Sequence, residues 1–307
     1  MRVAFVIPSL GASSLDSCLE AVKAQSLPAD EVILVFSGEG IPPRLPEDVR
    51  LLRRSRRLGF AAAVNRGLEA LGESIEAVAL LNDDAIPEPG WLEAMIRVLS
   101  EDPESGAVQG IVLDSGGEKI DGAGLALDPF GLPIQLDHGM QFSGEKYELR
   151  TIPGVSATAA LFRRSAIDEV RLPDGMIFDE RFDSYGEDVD LALRLSRLRW
   201  KGRLEGDAIC RHLGSETGRG LRWRHPWWIL SNRWRALASN FCPGALFRRL
   251  PSLLRGEIRA IRSLGRKNPV AWLVAPVVFI SLPWILLRSF LRSSPGPRFR
   301  RLEDFSL

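Results

Sequence analysis

The sequence of 307 residues predicts an α/β fold in which a layered sheet carries helices on both faces, followed by a helical C-terminal region. Two observations lead to this prediction. Short buried apolar runs alternate with amphipathic helical patterns, which is typical of strand–helix–strand crossover units in a doubly wound sheet. Past Trp223 the sequence becomes helical, basic and aromatic. We therefore expect an α/β domain over residues 1–220 and a second, helical region over residues 221–307.

The strands and helices can be assigned in chain order from these patterns. Apolar runs predict strands over 3–7, 31–36, 50–54, 77–81, 106–113, 157–162 and 208–210. Helical spacing predicts helices over about 14–25, from 59, from near 89, and from 186 to about 198. Residues 114–150 form a Gly-rich excursion with hairpin-like pieces near 122–127 and 132–136, and a long excursion of this kind indicates a substrate or lid region.

The net charge of +1 conceals an acidic body and a basic tail. Residues 219–307 contain 17 Lys and Arg against 3 Asp and Glu, whereas residues 1–218 contain 23 against 36. Six of the eight Trp also lie after residue 219. Trp among Arg favours a membrane interface over a nucleic-acid groove, and no nucleic-acid readout motif is recognisable, so we expect no nucleic-acid partner.

Cysteine use and the N-terminus both favour a cytoplasmic catalytic face. Cys18, Cys210 and Cys242 are isolated, a pattern that indicates neither a disulfide framework nor a zinc site and suits a reducing compartment. The chain enters its first strand directly at Val3, and no signal peptide is recognisable.

The basic tail predicts a membrane-associated region. Apolar residues at 247, 250, 254, 258 and 261 recur at helical spacing with arginines between them, as in a helix lying on an anionic membrane surface. The next 18 residues, 270–287, carry no charge but include Pro276 and Pro283. We expect a kinked in-plane or re-entrant segment; a spanning helix and a buried soluble helix pair are the alternatives. The protein would then lie at the cytoplasmic face of the membrane, either peripherally or with one re-entrant or spanning C-terminal segment.

Asn82, Asp83 and Asp84 directly follow the apolar run 77–81. In an open α/β sheet, ligands bind in the crevice at the carboxyl ends of the strands. Carboxylates at that edge can hold a hard divalent cation, and the cation can hold a diphosphate. The alternative is an Asp-rich turn whose side chains bond the local backbone.

A second acidic group begins the helix at Gly186, with Glu187 and Asp188 in its first turn. Acidic residues there complement the positive end of the helix dipole, which is the structural interpretation. A carboxylate at a helix start that faces the strand-end cation site could also take a proton from an incoming hydroxyl.

Eight short motifs follow one another along residues 1–240: Val-Ile-Pro-Ser-Leu (6–10), Gly-Phe-Ala-Ala-Ala-Val-Asn-Arg-Gly (59–67), Leu-Leu-Asn-Asp-Asp-Ala (80–85), Glu-Pro-Gly-Trp-Leu (88–92), Pro-Gly-Val-Ser-Ala (153–157), Phe-Asp-Glu-Arg-Phe (178–182), Gly-Glu-Asp-Val-Asp-Leu (186–191) and Arg-His-Leu-Gly-Ser (211–215). Their order resembles that of family 2 glycosyltransferases of the GT-A fold, near the rhamnosyltransferase-like members. Each motif is short, and only their order makes the resemblance specific.

The resemblance implies a Rossmann-like nucleotide-diphospho-sugar transferase with a mixed sheet. It implies inverting, metal-dependent transfer of a sugar, with rhamnose as the first expectation, from a nucleoside-diphosphate sugar. The acceptor would be a glycan or a polyprenyl-diphosphate-linked glycan in cell-surface polysaccharide biosynthesis.

The resemblance also assigns site residues. Asp188 would be the general base beside Glu187, while Asp84 and His212 would hold Mg²⁺ or Mn²⁺. Donor binding would fall to Pro8, Ser9, Ser37, Asn65, Gly67, Asn82 and Asp83.

Two positions depart from the family pattern. Asn82 occupies the first Asp slot of the acidic motif, and Ser37 stands where many relatives carry an Asp that bonds the nucleobase. An alternative is therefore a catalytically degenerate homologue that acts as a nucleotide- or membrane-binding scaffold in glycan assembly. A sugar-1-phosphate nucleotidyltransferase is disfavoured, because residues 8–11 lack a Gly-rich loop with a basic residue.

Overall fold

A mixed sheet forms the centre of the protein, seen in a computed structural model that describes residues 1–39, 42, 44–144, 147–214, 223–292 and 296–305. The strands are β1 (Val3–Ser9), β2 (Glu31–Phe36), β3 (Val49–Arg53), β4 (Ala77–Leu81), β5 (Ala85–Pro87), β6 (Ser105–Leu113), β7 (Ile120–Gly122), β8 (Leu125–Leu127), β9 (Pro133–Gln135), β10 (Arg150–Ile152), β11 (Ala159–Arg163) and β12 (Lys201–His212). Their order across the sheet is β10–β12–β6–β11–β4–β1–β2–β3. In addition, β5 pairs with β12 and β7 with β6, while β8 and β9 form a separate hairpin.

Helices cover both faces of this sheet. They are α1 (Leu15–Lys23), α2 (Phe60–Glu69), α3 (Trp91–Glu101), α4 (Arg164–Glu169) and α5 (Glu187–Arg197), followed by α6 (Arg224–Asn240), α7 (Pro243–Arg248), α8 (Leu250–Lys267) and α9 (Val270–Leu291). One core cluster packs α1 and α3 against the sheet, and another packs α2, α4 and α5 against its opposite face. The strands β1, β2, β4 and β11, which lie between these two layers, are largely apolar because both of their faces are buried.

The predicted α/β sheet with helices on both faces is confirmed. The first four strands pair in parallel in the order β3–β2–β1–β4, as the crossover pattern predicts. The sheet becomes mixed at β11, which runs antiparallel to both β4 and β6. This reversal brings the residues just before β11 to the same edge of the sheet as the end of β4.

The last strand differs from the prediction. We expected a short strand over 208–210 followed by His212, but β12 extends for 12 residues and ends at His212. Its first half, from Lys201 to Asp207, is polar or Gly-rich and gave no apolar signal. A Cβ at Gly206 would lie 2.1 Å from the carbonyl oxygen of Tyr147, so this close approach requires glycine.

The C-terminal helices share a core with the sheet domain. Residues of α5, α6 and the β8–β9 hairpin form one buried cluster that also includes Phe305 near the end of the chain. Arg197 of α5 donates hydrogen bonds to Asn240 and to the Pro297 carbonyl, at 3.1 and 2.9 Å. The predicted domain boundary at 220/221, like Ser215, lies outside the described residues.

In the described part of the chain, α9 is the one helix long and apolar enough to cross a membrane, with 22 residues and a mean hydropathy of 2.3 in its most apolar window. It is continuous through Pro276 and Pro283. One side packs on α6 and α8, and only 28% of the apolar window is buried. Eight large apolar side chains of α9 are exposed: Trp272, Leu273, Val277, Phe279, Ile280, Trp284, Leu287 and Leu291.

Candidate active site

The turn after β4 places two carboxylates at the carboxyl edge of the sheet. Asp83 points toward the end of β1, where Ser9 Oγ donates a 2.6 Å hydrogen bond to its Oδ2. Ser14 Oγ donates to the Asp83 carbonyl at 3.0 Å. Burial raises the pKa of Asp83, although the hydrogen bond from Ser9 opposes this shift. Asp83 therefore fastens the turn to the loop after β1.

Asp84 faces the end of β12 instead. Its carboxylate is buried, and its Oδ1 lies 3.3 Å from Nε2 of His212. The other ring nitrogen of His212, Nδ1, lies 2.8 Å from Oδ2 of Asp121 in the Gly-rich excursion. Pairing of β5 with β12 sets this geometry, because His212 lies opposite Ala85, the residue after Asp84. The three side chains thus form a line from Asp121 through the imidazole to Asp84.

The two carboxylates, Asp84 and Asp121, favour a positive charge on the imidazole of His212 between them. Burial lowers the pKa of His212, but the hydrogen bond to Asp121 and the negative charges of Asp84 and Asp121 outweigh it and raise the pKa to about 10. In the described part of the chain, Nε2 of His212 is buried without a hydrogen-bond partner of ordinary geometry. The same is true of Oδ1 of Asn82, two residues before Asp84. A proton or a metal ion at Nε2 would satisfy the charge of Asp84.

These residues fit a divalent cation that is shared with a ligand. No group of three or more His, Cys, Asp or Glu side chains converges into a complete metal cage within the described ranges. Mg²⁺ at nucleotide sites is commonly held by one or two carboxylates together with substrate phosphates. Asp84 supplies one carboxylate and His212 one imidazole nitrogen without a partner, which suits a cation that substrate phosphates also hold. The imidazole shifts the preference toward Mn²⁺.

The second acidic group begins α5. Gly186 precedes it with φ +87°, a left-handed conformation that glycine adopts without strain. Glu187 is buried, and its Oε2 has no hydrogen-bond partner among the described residues. Asp188 accepts hydrogen bonds from the Val189 amide at 2.8 Å and from Ser156 Oγ at 3.2 Å. Desolvation raises the pKa of both carboxyls, and the charge of Asp188 raises that of Glu187 further.

Residues 156–158 connect the two acidic groups. Ser156 Oγ, which donates to Asp188, also lies 3.2 Å from Thr158 Oγ1. The Thr158 carbonyl accepts a 2.9 Å hydrogen bond from the Asn82 amide. The pKa of the Tyr185 phenol is raised, chiefly by partial burial. The negative charges of Glu187 at the helix start and of Asp84 at the strand end raise it further. The helix-start and strand-end carboxylates therefore both lie near Tyr185.

A strained loop leads into the start of α5. Asp183 and Tyr185 both adopt positive φ, at 58° and 68°, which non-glycine residues rarely do. The Nδ2 group of Asn232, which is buried on α6, lies within 2.8–3.0 Å of the carbonyls of Phe182, Ser184 and Tyr185. The C-terminal region therefore holds the loop that leads into Glu187 and Asp188.

The predicted donor-binding residues lie in two places. Pro8, Ser9, Ser37, Asn82 and Asp83 lie on β1, after β2, or after β4, around the carboxyl edge of the sheet. Ser37 Oγ accepts a hydrogen bond from the Leu58 amide at 3.2 Å.

Asn65 and Gly67 lie inside α2. The Asn65 amide is buried, donates to the Phe178 carbonyl at 2.8 Å and accepts from the Phe178 amide at 2.9 Å. A Cβ at Gly67 would lie 2.3 Å from Cγ1 of Val6, which indicates close packing of α2 on β1. Both residues thus connect the elements around the site.

Sequence reasoning missed Asp121 and Asn232. Asp121 lies in the Gly-rich excursion, where only the general expectation of a functional role could have pointed to it. Asn232 lies in a helix whose basic and aromatic composition dominates its pattern. No local spacing relates either residue to the site, because each acts across a large sequence separation.

A mixed sheet with an acidic turn at its carboxyl edge, opposite acidic residues at a helix start, defines a nucleotide-sugar transferase architecture. The profile of glycosyl transferase family 2 matches residues 5–171, more than half of the chain, and the chain belongs to this family. It is 28% identical over 256 residues to the N-acetylglucosaminyl-diphospho-decaprenol L-rhamnosyltransferase of Mycobacterium tuberculosis strain H37Rv, covering 72% of this chain and 80% of that relative.

Solved structures share the fold. The mannosyltransferase PcManGT from Pyrobaculum calidifontis, in complex with GDP-Man and Mn²⁺, superposes with a TM-score of 0.53 at 18% identity over 94% of this chain and 84% of its own. GalNAc-T7 with UDP, GalNAc and Mn²⁺ gives a TM-score of 0.57 at 16% identity, over 79% of this chain and 48% of its own. These likenesses confirm the predicted GT-A fold.

Proposed function

We propose that this glycosyltransferase moves a sugar from a nucleoside-diphosphate sugar to an acceptor hydroxyl in a single displacement, with inversion at the anomeric carbon. The observation that carries the proposal is the link from Asp188 through Ser156 and Thr158 to the turn at Asn82. It links a candidate base to the turn that carries the candidate cation site. No second carboxylate is needed as a nucleophile in this scheme, unlike the paired-carboxylate scheme of retaining glycosidases.

Asp188 is the proposed general base. Desolvation raises the pKa of its carboxyl, which increases the affinity of the carboxylate for the acceptor proton. The hydrogen bonds from Val189 and Ser156 fix the orientation of the carboxylate. Glu187, with an unpartnered buried oxygen, can accept a second hydrogen bond from the acceptor sugar.

Asp84 and His212 are the proposed ligands of Mg²⁺ or Mn²⁺. The bound cation would act as a Lewis acid for the negative charge of the departing nucleoside diphosphate. Asp121 holds the imidazole through Nδ1 and so keeps Nε2 turned toward Asp84. Asn82, Asp83, Ser9, Pro8 and Ser37 surround the donor.

The proposed acceptor is a glycan on a polyprenyl diphosphate at the cytoplasmic face of the membrane, in cell-surface polysaccharide biosynthesis. The relative with 28% identity is named for such an acceptor and for L-rhamnose, so a rhamnose donor is our first choice. The exposed apolar side of α9 and the arginines of α8 support an in-plane position at an anionic membrane surface. The division between residues 1–220 and 221–307 would then separate the catalytic domain from the membrane-associated region.

Donor hydrolysis by the purified protein tests this function. A panel of nucleotide sugars is incubated with Mn²⁺, Mg²⁺ or a chelator, with Asp84→Ala and Asp188→Ala run in parallel. Metal-dependent release of nucleoside diphosphate from one donor, lost in Asp84→Ala, is the expected result. Nucleotide binding without turnover of any donor, equal in the parent and both variants, would instead support the scaffold alternative that Asn82 and Ser37 suggest.

A further inference from the structure

Tyr185 is an exposed aromatic residue in the loop that leads into α5. Among the aromatic residues that the structure describes between residues 1 and 214, it is the most exposed, at 38%. The other large aromatic side chains of this part of the chain are buried or half-buried in the core and its margins. The catalytic scheme above gives Tyr185 no role.

Contacts from α6 hold Tyr185 in a strained conformation. Its φ is 68°, in a region that a bulky residue rarely adopts. Nδ2 of Asn232 lies 2.8 Å from the Tyr185 carbonyl oxygen. The rings of His225 and Trp228 pack against the phenol at centroid distances of 5.0 and 6.1 Å. Strained residues persist where their surroundings fix them, and they concentrate at ligand-binding and catalytic sites.

Tyr185 adjoins both acidic groups of the candidate site. It directly precedes Gly186 and Glu187 in the chain. The negative charges of Glu187 and Asp84 both raise the pKa of its phenol, in addition to the larger effect of burial. Asp84 belongs to the proposed cation site, where the diphosphate departs, whereas Glu187 lies beside the proposed base, Asp188. The phenol therefore borders the place where the donor and the acceptor hydroxyl meet.

A sugar ring has two kinds of surface, and this loop offers a partner for each. The C–H bonds of a pyranose form an apolar face, which suits the negative face of an aromatic ring. Its hydroxyls need hydrogen-bond partners, and Oε2 of Glu187 is buried with no such partner among the described residues. A buried polar atom without a partner is costly, and a ligand hydroxyl would remove that cost. Tyr185 and Glu187 together thus suit one sugar ring that covers the phenol and turns a hydroxyl toward Oε2.

We infer that Tyr185 is the platform on which the acceptor sugar stacks, and that it makes the enzyme prefer a pyranose to an open-chain alcohol. The inference rests on the proposed function and adds the residue that recognises the acceptor. The acceptor is the assigned occupant because Tyr185 adjoins the base in the chain, whereas the proposed donor residues lie on or after β1, β2 and β4. The acceptor oxygen then attacks the anomeric carbon, Asp188 takes its proton, and the nucleoside diphosphate leaves.

Transfer to small acceptors tests this inference. With the donor that the parent hydrolyses, kcat/KM is measured for methyl glucopyranoside, methyl galactopyranoside and methyl N-acetylglucosaminide. The same constant is measured for glycerol, which offers hydroxyls but no ring. The readout is the ratio of the best pyranoside to glycerol, because a general loss of activity in a variant cancels from it. We expect a ratio of about ten or more for the parent, the factor that a favourable aromatic contact contributes.

Two substitutions separate the aromatic face from the hydroxyl and from bulk. Tyr185→Leu keeps an apolar side chain without an aromatic face and is expected to lower the ratio about tenfold. Tyr185→Phe keeps the ring and is expected to stay within about threefold of the parent ratio. Phe247→Leu is the matched control, because it removes a 78% exposed aromatic ring from α7 and is expected to leave the ratio unchanged.

An unchanged ratio in Tyr185→Leu, or an equal change in Phe247→Leu, would overturn the inference. A parent that hydrolyses its donor but prefers no pyranoside to glycerol would overturn it too. An unchanged ratio together with an altered choice of nucleotide sugar in Tyr185→Leu would assign the ring to the donor sugar instead. All three results leave the proposed function standing, whereas absent donor hydrolysis in the parent would sink the proposed function and this inference with it.

Discussion

Nδ1 of His212 lies 2.8 Å from Oδ2 of Asp121, and this contact joins the Gly-rich excursion to the end of β12. The opposite nitrogen of the same ring lies 3.3 Å from Asp84. A carboxylate behind a metal-binding histidine fixes the ring orientation and raises its basicity. In the proposed cation site, this pair would keep Nε2 of His212 turned toward Asp84.

Asp121→Asn tests this positioning role. The amide keeps the shape but removes the negative charge, so we expect Mn²⁺ affinity in the presence of nucleoside diphosphate to fall about 10–100-fold. Electron paramagnetic resonance of free Mn²⁺ measures the affinity without turnover. The control is Asp137→Asn, which makes the same exchange in the same excursion, at a residue paired with Arg150. Equal Mn²⁺ affinity in the two variants would refute the role.

Asp188→Asn tests the general base. The variant keeps an oxygen that can accept the Ser156 hydrogen bond but cannot take the acceptor proton. We expect kcat for sugar transfer to fall by roughly 10²–10⁴, the range for general base catalysis, with little change in donor affinity. Steady-state kinetics with donor titration measure both. A variant that transfers sugar within a few-fold of the parent rate would show that the base is another group.

The pH profile gives an independent check on Asp188. Its folded-state pKa is raised, chiefly by desolvation, so the carboxylate takes up a proton at a higher pH than an exposed Asp does. Activity that needs the carboxylate must then fall as the pH decreases, with an acid limb above the ordinary Asp value of about 3.9. The hydrogen bond from Ser156 lowers this pKa, so Ser156→Ala is expected to move the limb to higher pH. The profile of kcat against pH measures the limb, and a shift toward lower pH would contradict the assignment.

The sequence predicted those parts of the fold that leave a local pattern. Apolar runs reveal β1, β2, β4 and β6 because both faces of these strands are buried. The first half of β12 escaped detection because its residues are polar, and its pairing with β6 and β10 cannot be read from a local pattern. Tertiary pairing, rather than intrinsic preference, makes that segment a strand.

In the candidate site, too, some residues lie at positions that a local pattern marks, and others do not. Asp84 and Asp188 could be predicted because each occupies the junction of a recognisable element. Asp121 meets His212 across 91 residues, and Asn232 meets Tyr185 across 47 residues. Such contacts depend on how the excursion and the C-terminal helices fold back onto the sheet, which no local spacing encodes.

Asn232→Ala tests the support of the catalytic loop. The substitution leaves the carbonyls of Phe182, Ser184 and Tyr185 without their shared donor, and a buried unpaired group costs about 1–3 kcal/mol. We expect a lower kcat and a lower unfolding temperature, while Mn²⁺ affinity stays at the parent value because Asp84 and His212 are untouched. The control is Ser231→Ala on the same helix, since the buried Ser231 hydroxyl has no hydrogen-bond partner in the described chain. Equal kinetics for the two variants would show that the loop does not depend on Asn232.

Removal of residues 223–307 tests whether the predicted boundary near residue 220 separates two independent units. The deletion would expose Phe182, Val189 and Leu193, which are buried in the cluster that α5 shares with α6. Exposing one such side chain costs about 1.5–3 kcal/mol, so three of them approach the total stability of a typical domain. We therefore expect the chain of residues 1–222 to aggregate or to lose its cooperative thermal transition, measured by light scattering and circular dichroism. Full-length Leu291→Gln is the control, because it alters an exposed residue of α9 and leaves the shared core intact. A soluble 1–222 chain that unfolds cooperatively at the parent temperature would establish that the sheet domain folds without the helices that hold its catalytic loop.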